Sequence, residues 1–80
     1  MIPQHIKESI DRYVEYGVPT GDFLRAVLEN NLMEAFGRAD DTSRESLFDI
    51  VSYIYNEIPS DVWGSKEKVA EFLKKKREER

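Results

Sequence analysis

Apolar residues recur along this chain at intervals of three and four, in short runs separated by polar turns. That rhythm belongs to helices with one buried face. Ile6, Ile10, Tyr13 and Val14 mark the inner face of a first helix over about Pro3 to Tyr16, and Lys7, Glu8, Asp11, Arg12 and Glu15 its outer face. Proline suits the first position because it has no amide hydrogen to leave unpaired. Gly17 ends the helix, since glycine takes the left-handed conformation cheaply. Thr20 then reads as the cap of a second helix, with Asp22 favourably placed in its first turn. Phe23, Leu24, Val27 and Leu28 form the second stripe. Asn30-Asn31 leaves two readings open: a break with a restart at Asn31, or a helix running through. Leu32, Met33, Ala35 and Phe36 carry the next apolar face.

After a turn at Ala39-Asp40-Asp41, Thr42 followed three residues later by Glu45 forms a capping-box pattern. It opens a helix over about Ser43 to Glu57, expected to be the central element. Leu47, Ile50, Val51, Ile54 and Ile58 keep helical spacing, while Phe48 and Tyr55 widen the apolar arc to one side. Pro59 stops it. Ser60 to Gly64 reads as a connector, Ser65 as the cap of the last helix, and Val69, Phe72 and Leu73 as its inner face. Beyond Lys74 nothing is apolar, so residues 74–80 are expected to fray. No stretch alternates with period two beside a hairpin turn, so no sheet is expected. The fold class is therefore all-α, a compact bundle of four to five short helices forming one domain over residues 1–80. Leu24, Val27, Leu28, Leu47, Ile50, Val51 and Ile54 are its expected core.

Composition narrows the chemistry. The chain has 80 residues, no cysteine, one histidine and a formal net charge of −4. Without cysteine there is no disulfide, thiolate nucleophile or zinc–thiolate site. A chain this short buries only about 60% of its unfolded surface, so self-association is expected to support it. No apolar run approaches the roughly 18 to 20 residues of a membrane span, and the N-terminus shows no signal pattern, so a cytoplasmic setting is expected. The charge is uneven: residues 1–63 carry five Lys/Arg against 12 Asp/Glu, whereas residues 64–80 carry seven against four. An acidic body repels polyanions over most of its surface. Nucleic-acid contact through Lys74-Lys75-Lys76-Arg77 is a minor alternative, because Glu78 and Glu79 follow directly and cations near a helix C-terminus need no ligand.

Nothing in the pattern nominates a reaction. His5, Glu8 and Ser9 lie within one turn and point the same way, so they do not converge on a substrate. Asp40-Asp41 offers too few oxygen ligands for a metal, and no cofactor is implied. Gly17-Val-Pro-Thr-Gly-Asp22 leads into a helix whose free amides can hold an anion, but it lacks the Lys and Ser/Thr of a phosphate-binding loop. The aromatics are the better clue. Tyr13, Tyr16, Tyr53, Tyr55 and Trp63 are many for a small core, and Tyr and Trp favour interfaces. Trp63 either plugs the end of the bundle or anchors a partner. Tyr13, Tyr16, Thr20, Gly21, Arg25, Arg38 and Trp63 are the candidate binding residues, the arginines as cations for an anionic group.

Several stretches together carry a likeness: Pro19-Thr-Gly-Asp-Phe-Leu24, Gly37-Arg-Ala-Asp40 and Trp63-Gly-Ser65, with Ile2-Pro3, Tyr13-Val14 and Tyr55-Asn56 around them. Over residues 2 to 73 the chain resembles a family of small proteins of unknown function common in tailed phages and prophages. That family is expected to carry cysteine before the tryptophan and glycine after Thr-Gly, where this chain has Val62 and Asp22. These departures count against a thiol role and against an anion site at that helix start. The resemblance implies a phage or bacterial cytoplasmic setting and no catalytic residue. The resulting expectation is a non-enzymatic accessory or counter-defence protein that binds and inhibits a host protein. A homo-oligomeric sponge for a nucleotide signal is the alternative, and weak nucleic-acid binding through the last helix the second.

Overall fold

The computed structural model describes residues 2–79. Six helices follow one another: α1 (Gln4–Tyr16), α2 (Asp22–Leu28), α3 (Leu32–Arg38), α4 (Asp41–Glu45), α5 (Leu47–Glu57) and α6 (Lys66–Glu78). Among the described residues there is no strand, so the all-α class holds. The helices number six: the break with a restart at Asn31, one of the two readings left open, makes five, and the expected Ser43–Glu57 helix divides as well.

The first division falls at Asn30-Asn31. Asn30 takes the left-handed conformation, φ 62°. The Asn31 amide donates to the Ala26 carbonyl at 2.8 Å and the Asn30 amide to Val27 at 3.0 Å, the paired closure of a Schellman end. Asn31 then caps α3, its side-chain oxygen accepting from the Glu34 amide at 3.2 Å. One asparagine ends a helix and the next begins another, as their short polar side chains allow.

The second division splits the expected Ser43–Glu57 helix at Ser46, whose backbone turns to φ −96°, ψ 3°. The pieces stay nearly continuous: the Ser46 amide donates to Thr42 at 3.1 Å and its carbonyl receives the Ile50 amide at 2.9 Å. Thr42 is not the cap. Asp40 is, accepting the Ser43 amide at 2.7 Å, and those Ser43 bonds, backbone first, hold its carboxyl below the usual range. A carboxylate accepts an amide more strongly than a hydroxyl does, so the helix starts two residues early and buries Ser43. Thr20 is likewise displaced as a cap: Gly21 stands at the N-cap of α2.

The core joins α1, α2, α5 and α6. Ile10, Tyr13, Leu28, Ile50, Ile54 and Val69 are almost wholly enclosed. Of the expected core, Leu24, Val27, Leu28, Ile50 and Ile54 are buried, while Leu47 and Val51 are half-buried and pack against it. The α3 residues depart from expectation. Only Ala35 is buried; Leu32, Met33 and Phe36 face outward.

The chain end also departs. The last helix runs through Lys74–Glu78, the stretch expected to fray; Arg80 lies outside the described residues. Its anchor is Lys76, whose Nζ donates to the Glu15 carbonyl at 3.2 Å and lies 5.9 Å from the Phe72 ring. A cation there meets the negative end of α1. Gly17 permits the approach: a Cβ on it would lie 2.4 Å from that of Lys76, and its φ is +68°. The radius of gyration is 11.8 Å, close to the ~12 Å expected of a compact domain this size. No helix among the described residues is long and apolar enough to cross a membrane.

Candidate functional site

The connector between α5 and α6 is short of regular structure but firmly held. Tyr13, buried on α1, donates its hydroxyl to the Val62 carbonyl at 2.7 Å. The Gly64 amide donates to Leu28, at the end of α2, at 2.7 Å. Lys68 Nζ donates to the Ser60 carbonyl at 3.1 Å, and Trp63 Nε1 to Ile58 at 3.3 Å. Gly64 sits at φ +115°, a backbone state that glycine reaches without strain. These ties fix Trp63 half-buried, its indole edge-on to Tyr55 with ring centroids 6.4 Å apart. Trp63 thus both closes the bundle and fronts a surface.

That surface is an open groove of about 320 Å³, lined chiefly by Val27, Leu32, Val51, Ile54, Tyr55 and Trp63. Apolar residues continue from it. Phe48 stands two turns before Tyr55 on the same side of α5, and Phe36 one turn after Leu32 on α3. Phe48 is 81% exposed, Tyr55 73%, Met33 87% and Phe36 54%. Scattered exposed apolar residues are ordinary; here Leu32 and Tyr55 also line the groove, and a larger exposed apolar set of this kind is the mark of an interaction surface. Arg44, 5.6 Å from the Phe36 ring, borders this side.

The residues nominated by sequence do not form one site. Tyr13 lies in the core at 1% exposure, and burial pushes its phenol up to about 12; it holds the connector and is not open to a partner. Tyr16 is exposed at the end of α1. Arg25 pairs with Glu29 at 3.0 Å beside a depression that also takes in Gly17, Pro19, Lys74 and Arg77. Gly21 and Arg38 meet in another, with His5, Asp22 and Asp40. Thr20 is half-buried, with no role as a cap. Arg38 is engaged by Glu34 at 2.7 Å and Asp22 at 3.1 Å, and the Glu34 bond, then both carboxylates, raise its pKa further. Only Trp63 of the nominated set belongs to the apolar groove.

Leu32, Met33, Phe36, Phe48 and Tyr55 were not nominated as binding residues. The signal for two of them was in the sequence: Phe48 and Tyr55 make the apolar arc of α5 wider than one core face requires. For α3 the periodicity was visible, but not that it turns outward. Among the described residues no group of three or more His, Asp or Glu side chains is placed to hold a metal ion. Compared with protein-family models, with curated proteins and with solved structures, the chain matches none.

Proposed function

We propose that this is a non-enzymatic protein-binding module whose contact surface is the apolar face of α3 and α5 around the Trp63 groove. One observation carries the reading: large apolar side chains are left outside a bundle that has an enclosed core of its own. Exposing Phe48 and Tyr55 forgoes burial worth roughly 1.5–3 kcal/mol for a large apolar side chain, a cost that a partner recovers. Aromatic anchors around a pocket are the usual centre of such contacts. The groove walls are held by buried helices and by four hydrogen bonds in the connector, so the surface is ordered before binding, which lowers the cost of association. The likeness to small phage proteins adds a setting: a bacterial host protein as the target, bound and thereby inhibited.

The test is affinity capture from bacterial lysate with the native chain and with a Phe48→Ala/Tyr55→Ala variant. Both positions are exposed, so circular dichroism should report an unchanged fold. The reading expects a stoichiometric partner retained by the native chain and lost by the variant. Equal retention by both would reject this face as the contact surface.

A further inference from the structure

The depression beside Arg25 has a volume of about 390 Å³ and lies between α6 and the loop that joins α1 to α2. From α6 it takes Ala70, Leu73, Lys74 and Arg77, whose three-and-four spacing puts them on one face of that helix. Pro19 of the loop and Arg25 of α2 complete it. Three cations thus converge from two helices, and no residue lining the depression is acidic. Cations gathered in this way repel one another. Two of them are open to a ligand: among the described residues neither Lys74 nor Arg77 has a carboxylate partner, whereas Lys76 beside them is tied to Glu15 and lies 3.9 Å from Glu79. Arg25 bonds Glu29 through Nε at 3.0 Å, which leaves its terminal guanidinium nitrogens for a second acceptor. The dipole of α6 favours Lys74 and Arg77 near its end, but it does not bring Arg25 of α2 to the same hollow.

We infer that this depression is a site for a small phosphomonoester. Two unpaired cations call for two negative charges, and a phosphate monoester carries about −1.5 to −2 at pH 7; a carboxylate supplies only one. Arg25 and Arg77 present the planar donors that match phosphate oxygens, and Lys74 adds a point charge. The volume falls within the roughly 300–1,000 Å³ of small-molecule sites, so an organic body has room against Pro19, Ala70 and Leu73. A nucleic acid fits less well, because it would run on over a body in which residues 1–63 carry five Lys/Arg against 12 Asp/Glu. The depression shares no lining residue with the Trp63 groove, so it stands apart from the protein-binding reading.

Amide NMR of the native chain, titrated with phenyl phosphate in phosphate-free buffer, tests the site. Benzoate and a short single-stranded DNA form the other arms. Phenyl phosphate should shift the Arg25, Leu73, Lys74 and Arg77 amides saturably, and its affinity should fall as salt is raised. Benzoate should bind more weakly, and the DNA no more tightly than phenyl phosphate. Lys74→Gln/Arg77→Gln removes two exposed charges, so circular dichroism should be unchanged, while affinity for phenyl phosphate should drop about tenfold or more. Shifts that do not saturate, shifts centred on other residues, or affinity that the double variant leaves unchanged would overturn the site. Benzoate binding as well as phenyl phosphate would overturn the phosphate assignment, and DNA binding more tightly at these residues would overturn the small-molecule assignment.

Discussion

At the scale of single residues, polar side chains decide where this chain bends. Asn30 adopts a left-handed backbone state that glycine reaches without strain. Asn30→Gly should therefore raise stability by roughly 0.5–1 kcal/mol, read from denaturant unfolding, less whatever glycine adds to the freedom of the unfolded chain. Tyr13 was legible as an aromatic on an inner helical face, but its role was not. The carbonyl it bonds belongs to Val62, 49 residues away, and no local pattern carries such a distance. Its phenol pKa, raised from 10.0 to about 12 chiefly by burial, makes stability depend on pH in a defined direction. Below pH 10.0 the phenol is protonated whether the chain is folded or not, and its contribution is fully present. As pH climbs from 10.0 to about 12 the unfolded chain loses the proton first, and stability falls. Tyr13→Phe should cost about 1 kcal/mol at neutral pH through the lost hydrogen bond, and its stability should decline less steeply than the native protein's across that alkaline window.

At the scale of elements, helix existence was readable and helix ends were not. The three-and-four spacing placed α1, α2, α5 and α6 because each buries a stripe. The ends were missed where two good caps compete. Thr42 with Glu45 matched a capping box, yet Asp40, two residues earlier, offers a charged acceptor and takes the amide. Fraying of residues 74–80 was expected because no apolar residue lies beyond Leu73. The fold holds that turn by another means, the Lys76 ammonium on the end of α1 and its stem against Gly17. Gly17→Ala should accordingly cost roughly 2 kcal/mol or more, combining the left-handed penalty with the collision at Lys76. Amide exchange should show α6 from Phe72 onward losing protection before α5 does. Uniform loss across both helices would mean that α6 is not anchored there.

At the scale of the whole molecule, the sequence showed how much apolar material the chain has, and the fold shows where it is not used. An excess of aromatics is visible in composition. Which of them are surplus is not, because that depends on how six helices share one core. Tyr13 went inside, Trp63 half-way, and Tyr55 and Phe48 stayed out. The nominated arginines separated onto two other depressions, since their positions depend on helix packing that no spacing rule supplies. The acidic body and basic tail were legible as numbers. The central claim is that the apolar face of α3 and α5 is where the protein meets its partner. Oxidative footprinting of the chain alone and in complex with the captured partner tests it most directly. Met33, Phe48, Tyr55 and Trp63 should become protected while Tyr16, at the end of α1, keeps its reactivity; protection at Tyr16 with Phe48 and Tyr55 unchanged would contradict it.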